Sequence, residues 1–486
     1  MLWICLLLPS LPLDVYARAQ APADSAKPFA VTTGGHYPRI VVGNAAAIDA
    51  GVRPEQLVSA ALALAPDIVL RERDPEIEAA ALAATATWAT QFTPMVSLAP
   101  PNAILAEIGG SERLFGGRAR LREHFARGAR DLGYAARIAF APSPTAALAF
   151  ARDGGDRLPD LAPLPLAHLD IDAKVLATLA AAGILTFGQA CALPRDPLAR
   201  RAGAELIAAL DRARGLIADP RSPFVPPPRY VGRLELPMEV ESVEALAFAV
   251  NRLVHEMAGW LLGRGLGVTD LSLALAHERY VALRDGPAIT PVRFALAAPA
   301  REPAHLIAVL RERLARVVLP ASVVAITLAS EATAPLAGRN LGLLPGSDAA
   351  ATVPLVDRLR ARLGDDAVLQ LRPHAEHRPE LAFRLAKIGD APDPRTSAGA
   401  QARAAEAAPP RPTWLCAEAA PLAHCFGEAP WVLQEGPERI ESGWWDGADI
   451  RRDYFVAQNP RGERAWIYRD SRYGDDAEWF LHGLFA

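Results

Sequence analysis

Residues 100–117 read PPNAILAEIGGSERLFGG, and this stretch decides the fold of the first part of the chain. Ile104, Ala106 and Ile108 alternate with the residues between them, a period-two pattern that predicts a strand. The glycines at 109 and 110 end this strand, and residues 112–115 predict the start of a helix. A strand, a glycine turn and a helix in this order are typical of an α/β domain.

The same stretch resembles the strand and turn of the palm subdomain in Y-family translesion DNA polymerases. In that family an acidic pair just upstream of the turn holds the metal ions for nucleotidyl transfer, and the resemblance places the pair at Asn102 and Ala103. An amide and a methyl group cannot replace two carboxylates, because Mg²⁺ requires hard, preferably anionic oxygen ligands. The resemblance therefore implies a palm fold without its metal site.

The apolar run at residues 2–8 predicts a fully buried first strand. No basic residue precedes this run and Pro9 ends it, which is not typical of a signal peptide, and it is too short to cross a membrane. The matching strand of Y-family polymerases ends in Asp-x-Asp, which supplies a further metal ligand. That place falls on residues 6–8, and we assign it to Leu6, so this carboxylate is missing too.

Leu-Pro-Leu at residues 11–13, directly after this strand, makes the start of the chain similar to the ImuB family. These proteins are catalytically defective relatives of Y-family polymerases that act in damage-induced mutagenesis in bacteria. Active relatives place a lysine at the start of the helix predicted over 146–152, facing the nucleotide's phosphates, and Pro144 stands there in this chain. The resemblance implies no catalytic residue, no metal and no cofactor.

The resemblance extends over nearly the whole chain and implies an α/β (α+β) fold with several domains. The expected parts are a palm over 1–160 with a fingers insertion at about 16–77, a helical thumb with a helix–hairpin–helix over 161–219, a proline-rich linker over 220–229, an α/β little finger over 230–335, a clamp-binding peptide over 336–346, a mostly flexible linker over 347–410 and an aromatic-rich partner-binding module over 411–486. Residues 16–77 show no regular pattern.

Hydrophobic periodicity predicts the elements within these parts. Helices are predicted over 76–90, 121–132, 198–215, 243–262, 303–317 and 357–363, and strands over 136–140, 268–275, 292–296, 323–328 and 368–371. A strand–helix–strand–strand–helix–strand palm follows. In the thumb, Asp-Ile-Asp-Ala at 170–173 occupies the hairpin where the family uses glycines to approach a DNA phosphate, so tight phosphate binding is not expected there.

Three further sets of residues are candidate interfaces. In the little finger, which grips template DNA in the family, the candidate DNA contacts are Arg252, Arg264, Arg279 and Arg293. A clamp-binding peptide of the form Gln-Leu-x-Leu-Phe follows this domain in translesion polymerases, and its counterparts are Asn340, Leu341, Leu343 and Leu344. The C-terminal region, which recruits partners in the ImuB family, offers Trp444, Trp445, Arg451, Arg452 and Tyr454.

Six of the nine tryptophans lie beyond residue 410, which gives the last region its own composition. Two alternating strands are predicted there, over 451–458 and 464–469, with Asn-Pro-Arg-Gly at 459–462 as the hairpin turn. A small aromatic β module fits this pattern. Exposed aromatic side chains together with arginines suit a protein interface.

The charge of the whole chain is nearly balanced, with 51 basic and 55 acidic residues, so no global basic field points to nucleic acid. The four cysteines are scattered, which is typical of a reducing compartment. Cys416, His424 and Cys425 lie close together but lack the second ligand pair of a zinc site. We expect a cytoplasmic protein, associated with the nucleoid during DNA damage, as the bacterial family implies.

The function that the resemblance implies is a non-catalytic adaptor for error-prone translesion synthesis in the SOS response. Its partners would be the DNA sliding clamp, an ImuA-like RecA-related protein, an error-prone C-family DNA polymerase and primer–template DNA, with no membrane. Two alternatives stay open. One is a working template-directed polymerase with displaced carboxylates, for which Glu107 and Glu112 are the nearby candidates. The other is a structural DNA-binding protein without protein partners.

Overall fold

The computed structural model describes residues 1–20, 27–154, 160–278, 287–336, 349–388, 410–423 and 430–485, with 349–352 and 474–476 described by their backbone alone. The chain divides into two compact units, Met1–Arg362 and Leu363–Ala486. Helices and antiparallel sheets occur together in the first unit, and the second consists mainly of strands. The mixed α/β class and the division into several parts agree with the expectation from the sequence.

The elements up to residue 363 are numbered in chain order. The first group is β1 (Trp3–Leu7), α1 (Leu11–Ala17), β2 (Phe29–Thr32), β3 (Ile40–Gly43), α2 (Ala45–Asp49), α3 (Val58–Leu64), β4 (Val69–Glu72), α4 (Pro75–Ala89), β5 (Val96–Ala99), β6 (Ala103–Glu107), α5 (Arg118–Asp131), β7 (Arg137–Ala141) and α6 (Pro144–Arg152). The second group is α7 (Ala173–Ala181), α8 (Phe187–Cys191), α9 (Arg195–Ala202), α10 (Ala204–Arg214), β8 (Val231–Val240), α11 (Val243–Arg264), β9 (Leu266–His277), β10 (Ile289–Ala300), α12 (Pro303–Leu314), β11 (Val323–Pro335) and α13 (Ala349–Leu363).

The N-terminal sheet has four antiparallel strands in the spatial order β5-β6-β1-β7. Because successive side chains of a strand point to opposite faces, Ile4 and Leu6 pack with α4 and α5, whereas Cys5 and Leu7 pack with α6. The chain order β1-α4-β5-β6-α5-β7 confirms the predicted strand–helix–strand–strand–helix–strand arrangement. The buried first strand is confirmed as well.

Helix α5 begins at Arg118, after the start predicted at residues 112–115 and shortly before the helix predicted over 121–132. Residues 112–115 form turns, and the helix starts only at Arg118. Gly116 and Gly117 have φ angles of 77° and 97°, which lie in the left-handed region and cannot continue a right-handed helix. The glycine pair therefore ends the turn and sets the helix start.

The interpretation of residues 16–77 as irregular was wrong. Strands β2, β3 and β4 form a small sheet in the order β3-β2-β4, with β2 and β4 parallel. Together with α2 and α3 they enclose a core of their own, which includes Ile40, Val52 and Ala61. We call this part, residues 29–72, the insert. Its strands have four residues each, too few to give a clear periodic signal.

The helical region contains α7, α8, α9 and α10, and it differs from the prediction at one helix. The single helix predicted over 198–215 is two helices, α9 and α10, that meet at Gly203. The φ angle of Gly203 is 88°, which interrupts the helical backbone. The proline-rich segment over 220–229 follows, and it lies against the protein: the Phe224 amide donates to the Val96 carbonyl at 2.7 Å.

The middle sheet has the spatial order β10-β9-β11-β8, and its strands are antiparallel. Helices α11 and α12 cover one face, where Leu253, Leu273 and Ile326 are buried. The two helices and three strands predicted over 243–328 are confirmed, each within a few residues at most ends. Strand β8 was not predicted.

Buried polar groups connect α11 to the N-terminal part. The Arg18 guanidinium donates to Glu256 at 3.0 Å and also to the Tyr134 hydroxyl, and the Tyr230 hydroxyl donates to Glu256 at 3.2 Å. These side chains are nearly inaccessible to water. Buried ion pairs of this kind require such hydrogen bonds, because both charges have lost their hydration.

Residues 349–388 differ from the expected flexible linker over 347–410. Helix α13 extends to residue 349 and packs on the middle sheet, where the Asp357 carboxylate accepts hydrogen bonds from the Ala297 amide at 2.7 Å and from His305 at 2.9 Å. Strands β12 (Leu369–Pro373) and β13 (Phe383–Lys387) then form a two-stranded ribbon in the second unit. Sequence periodicity gave only the second half of the helix and the first strand.

The C-terminal sheet contains the remaining strands of the second unit. They are β14 (Trp414–Pro421), β15 (Val432–Ser442), β16 (Ile450–Gln458), β17 (Arg464–Asp470) and β18 (Trp479–Leu484). The spatial order is β14-β18-β17-β16-β15, and the strands are antiparallel. The predicted hairpin with its turn at 459–462 is confirmed.

Candidate functional site

The place of the family's metal-binding carboxylates lies where β1 and β6 end side by side. Leu7 is the cross-strand partner of Ala103, and both side chains are buried on the face that packs against α6. Leu6 pairs with Ile104, and these two point to the opposite face. The residue beside Ala103 is therefore Leu7, and Leu6, to which we assign the ligand position, lies on the other face.

Asn102 holds the ends of the two strands together. Its side-chain Nδ2 donates to the Leu8 carbonyl at 3.1 Å, and the Leu8 amide donates to the Asn102 carbonyl at 2.8 Å. Where the resemblance implies a metal-binding carboxylate, this chain therefore has an amide that makes a structural hydrogen bond. An aspartate could not make the donated bond, because an ionised carboxylate only accepts.

The surroundings of Leu7 and Ala103 are apolar. Cys5 and Leu105 lie on the same face, fully buried, and residues of α6 and α10 complete the cluster. Burial raises the pKa of the Cys5 thiol to about 12, so the thiol stays protonated at neutral pH. A divalent cation would lose its hydration here and gain no anionic ligand.

The first turn of α6 is closed by residues from the segment after the helical region. Ser143 caps the helix and Pro144 is buried in its first turn. The Asp219 carboxylate accepts hydrogen bonds from the Thr145 amide at 2.9 Å and from the Thr145 hydroxyl at 2.7 Å. Arg221 donates to Thr145 at 2.8 Å and pairs with Asp219 at 3.1 Å.

The contact between Asp219 and Thr145 affects whether the N-terminus of α6 can bind an anion. Free amides at a helix N-terminus attract anions such as phosphate, and the corresponding helix faces the nucleotide's phosphates in active relatives of the family. In this chain the amide of Thr145 already donates its hydrogen bond to the carboxylate of Asp219. The sequence analysis missed Asp219 and Arg221, because their contacts to α6 span more than 70 residues of sequence.

The two carboxylates that are candidates for displaced metal ligands, Glu107 and Glu112, are engaged elsewhere. Glu107 Oε1 accepts hydrogen bonds from the Leu2 amide at 3.0 Å and from the Gly109 amide at 3.1 Å, at the far end of β6. Glu112 pairs with Arg118 at 3.2 Å. Among the residues that the structure describes, no group of three or more His, Cys, Asp or Glu side chains is arranged to hold a metal ion.

Of the four predicted DNA-binding arginines, Arg252 is engaged in contacts within the protein, and two of the others are exposed. Arg252 lies half-buried and donates to the carbonyls of Arg130 and Asp131, both at 2.8 Å, so it connects α11 to the end of α5. Burial lowers the pKa of its guanidinium. Arg264 is exposed at the end of α11, and Arg293 is exposed on β10. Arg279 lies outside the described residues.

The outer face of the middle sheet carries small side chains and paired charges. Small side chains line it, such as Ser272 and Ala329, which are cross-strand partners beside Arg293. Two arginines close to this face are paired with carboxylates, Arg229 with Glu331 at 2.6 Å and Arg233 with Glu235 at 2.7 Å. Such pairing leaves little positive charge for phosphate groups.

The residues predicted to bind the sliding clamp lie outside the described part of the chain. They are Asn340, Leu341, Leu343 and Leu344. The preceding strand β11 ends at Pro335 and the following helix α13 begins at Ala349. The peptide therefore stays a prediction.

The structure divides the predicted partner-binding residues into two sets. Trp444 and Trp445 are 76% and 56% exposed in the turn between β15 and β16, and Arg451 is exposed beside them. Tyr454 is buried, with its ring stacked on Trp466 and its hydroxyl 2.7 Å from His482 Nδ1. A direct contact of Tyr454 with a partner is therefore excluded by its burial.

Arg452 is also an internal residue. It donates to the Tyr454 hydroxyl at 3.0 Å and to Glu380 at 3.1 Å, so it connects the C-terminal sheet to the loop of the ribbon. Desolvation lowers the pKa of the neighbouring His482 to about 4, which keeps this imidazole neutral at physiological pH. The sequence analysis missed Glu380 because it lies in a stretch that we expected to be linker.

A second contact of the ribbon loop reaches the tryptophans. Arg378 donates to Asp446 and packs over the Trp445 ring, with its guanidinium carbon 5.9 Å from the ring centroid. Arg378 and Asp446 lie 68 residues apart in the chain, so local sequence offered no signal for this contact.

Regarding membranes, none of the described helices combines the length and the apolar composition that crossing a bilayer requires.

The chain is similar to known proteins in sequence and in structure. Residues 15–152 match the model of the impB/mucB/samB family (IMS). Solved structures similar to the chain include a Y-family DNA polymerase chimera of Dbh and Dpo4 and DinB from Sulfolobus solfataricus, at 15% and 13% sequence identity and TM-scores of 0.40 and 0.36. Each covers 68% of this chain and 98% of the solved chain.

Two curated relatives are similar along most of the chain. Both are the protein ImuB of Caulobacter vibrioides, from strains NA1000 and ATCC 19089. Each is 30% identical over 482 residues, which covers 90% of this chain and all of the relative. The chain therefore belongs to the ImuB family.

Proposed function

We propose that this chain is a non-catalytic, polymerase-like adaptor in damage-induced translesion synthesis. One observation supports the proposal: where the resemblance places the metal-binding carboxylates, Leu7 and Ala103 lie side by side inside an apolar core. Metal-ion catalysis of nucleotidyl transfer requires carboxylates at that position. Burying an unpaired carboxylate there would be costly.

In this proposal the parts of the chain correspond to polymerase subdomains. The N-terminal sheet and its helices act as the palm, the insert as the fingers, the helical region as the thumb and the middle sheet as the little finger. The pairing of Arg229 and Arg233 with carboxylates near the outer face of the middle sheet supports weak binding of DNA. Binding to proteins then has to place the chain at the lesion.

The proposed protein partners are the sliding clamp, an ImuA-like RecA-related protein and an error-prone C-family polymerase. Residues 340–344 are proposed to bind the clamp, with Leu341, Leu343 and Leu344 in its apolar pocket. Replacing the three leucines by alanine should reduce clamp binding in surface plasmon resonance close to background, with an unchanged circular dichroism spectrum. Undiminished binding by this variant would move the clamp contact to another segment.

Primer extension tests the absence of catalysis directly. The purified chain should add no nucleotide to a primer–template with either Mg²⁺ or Mn²⁺. The double variant Asn102→Asp, Ala103→Glu should be equally inactive, because the ligand position at Leu7 and the first turn of α6 remain as they are. Incorporation that depends on the template and disappears in Glu107→Ala would instead support the alternative, a working polymerase with displaced carboxylates.

A further inference from the structure

Two exposed tryptophans, Trp444 and Trp445, lie together in one turn of the second unit. We call residues 443–449, between β15 and β16, the tryptophan turn. The rings of Trp444 and Trp445 contact each other edge to face, with centroids 5.4 Å apart and planes at 82°. Both rings are largely exposed, which is unusual for a side chain of this size outside an interface. Tryptophan is also the residue most enriched among binding hot spots.

Arg378 stabilises the tryptophan turn by its hydrogen bonds to Asp446 and its packing on Trp445. Its side chain is 6% exposed and donates to Asp446 at 2.6 Å and to Glu376 at 2.9 Å. The other oxygen of Glu376 accepts a hydrogen bond from the Ser442 hydroxyl at 2.9 Å. The guanidinium lowers the pKa of both carboxyl groups, so they are charged at neutral pH. The turn is therefore held in place before any partner arrives.

The charges around the turn are unequal. The residues concerned are Glu376, Arg378, Glu441, Asp446, Asp449 and Arg451, that is, four carboxylates against two guanidinium groups, a net charge of −2. Both guanidinium groups already have carboxylate partners, Arg378 as described and Arg451 with Asp449 at 3.5 Å. The sequence suggested tryptophans accompanied by arginines. The structure instead surrounds them with excess negative charge.

We propose that the tryptophan turn binds a basic segment of a partner protein, with an arginine or lysine side chain packed on Trp444. This inference rests on the proposed adaptor function, since it assumes that the second unit contacts a protein. An aromatic face attracts a cation through its quadrupole, and the surplus carboxylates add long-range attraction that accelerates association. An acidic partner or a nucleic acid would be repelled by the same charges.

The test uses the full chain and the RecA-related partner of the proposed function in biolayer interferometry. The charge variant is Glu441→Gln with Asp449→Asn, which removes the net charge and leaves Arg378 and both tryptophans in place. We expect its association rate at low salt to fall by about tenfold and its dependence on salt to become flat. Trp444→Ala should weaken binding by at least about tenfold. The matched control, Glu418→Gln with Glu435→Gln, removes two exposed carboxylates elsewhere on the same sheet and should behave like the parent.

Competition by a small probe identifies the chemistry of the partner. A synthetic peptide of alternating arginine and glycine should displace the partner, whereas the same peptide with glutamate should not. If Trp444→Ala loses binding but the charge variant keeps the parent's rate and salt dependence, the contact is apolar and this inference is wrong, while the adaptor function stands. If neither Trp444→Ala nor removal of residues 363–486 changes binding, the partner contacts of the adaptor function lie elsewhere.

Discussion

Asp14 is a buried carboxyl group whose position affects the stability of the first unit. The Ala135 amide donates to it at 3.2 Å, and the side chain has little access to water. Burial raises its pKa to about 7, against the smaller opposing effects of the Ala135 amide and of the Arg18 charge. Arg18 gives only partial compensation, because it is bound to Glu256 and Tyr134.

The first prediction follows from this pKa. In the unfolded chain an aspartate titrates near about 3.9, so between about pH 4 and pH 7 the folded form binds more protons, and the free energy of unfolding falls as pH rises. A difference of about three pKa units, at about 1.4 kcal/mol each, limits the effect to about 4 kcal/mol. Asp14→Asn should therefore raise the Tm above that of the parent near pH 8 and leave it unchanged near pH 4.

Scanning fluorimetry at several pH values measures this difference. Asp67→Asn is the control, because Asp67 is exposed and its replacement should leave the pH profile of the parent unchanged. A Tm difference between Asp14→Asn and the parent that stays constant over the whole pH range would contradict the prediction.

At the scale of single residues, the strands were predictable and the faces of their side chains were not. The patterns of residues 2–8 and 100–117 predicted strands β1 and β6, and the resemblance to Y-family polymerases implied the loss of the carboxylates. A shift of one residue along a strand exchanges its two faces, so the pattern left open which side chain lies beside Ala103. The pairing of the strands places Leu7 there.

At the scale of elements, the sequence predicted the long helices and strands, whereas the short strands were missed. Helix α11 and strand β9 have 22 and 12 residues, and their periodic patterns were visible. Strands β2, β3 and β4 have four residues each and were missed. The role of the ribbon was missed for another reason. Its loop contacts residues 446 and 452, which lie about 70 residues further along the chain. Local sequence carries no information about such partners.

Helix α11 packs unusually close to α4, and glycine makes this approach possible. A Cβ atom at Gly259 would lie 2.5 Å from Trp88 Cδ1 and 3.1 Å from the Trp88 Cα. One at Gly263 would lie 2.7 Å from the Thr90 hydroxyl. Real Cβ atoms do not approach this closely, so any side chain at Gly259 separates the two helices.

The second prediction is that Gly259→Ala loosens the contact between these helices. Alanine favours an isolated helix by about 1 kcal/mol over glycine, but overpacking against Trp88 should cost about 1–3 kcal/mol. We expect a lower Tm and faster proteolysis within residues 220–229, which run between the N-terminal sheet and α11. Limited trypsin digestion, with Arg221 and Arg229 as cleavage sites, provides the measurement.

Gly110→Ala is the matched control, since nothing lies within 4 Å of a Cβ atom at that position. It should digest at the rate of the parent. Equal digestion rates for Gly259→Ala and the parent would show that the helices separate without consequence or that Trp88 moves freely.

For the whole molecule, the boundary between the two units matters most. We expected the C-terminal module to begin near residue 411, but the second unit begins at Leu363 and includes the ribbon. Arg378 and Glu380 of the ribbon loop find their charged partners, Asp446 and Arg452, in the C-terminal sheet. A chain cut near residue 410 would keep these two side chains and lose both partners.

The third prediction compares two truncations. The chain ending at residue 362 should be well folded by circular dichroism and monodisperse in size-exclusion chromatography. The chain ending at residue 410 should carry an unsupported ribbon, because Arg378 and Glu380 lose their partners and a two-stranded ribbon is too small to be stable alone. We expect it to aggregate more readily and to be cleaved rapidly within residues 369–387.

Double variants separate this explanation from a general effect of length. Arg378→Gln with Glu380→Gln in the full chain should also speed cleavage within residues 369–387, because the same ion pairs are lost while the length of the chain is unchanged. If the chain ending at residue 410 resists proteases within the ribbon, the ribbon is stable by itself and does not need the C-terminal sheet.

The strand order of the C-terminal sheet also bears on how the protein is made in the cell. Strand β18 lies between β14 and β17, so β14 pairs with no other strand of the described sheet. A ribosome releases the chain from its N-terminal end, and the sheet cannot close until residue 484 has left the exit tunnel. An incomplete product, from a broken message or an early stop, would carry β14 without the strand that it pairs with. The topology therefore makes a closed C-terminal sheet a mark of chains that were translated through β18.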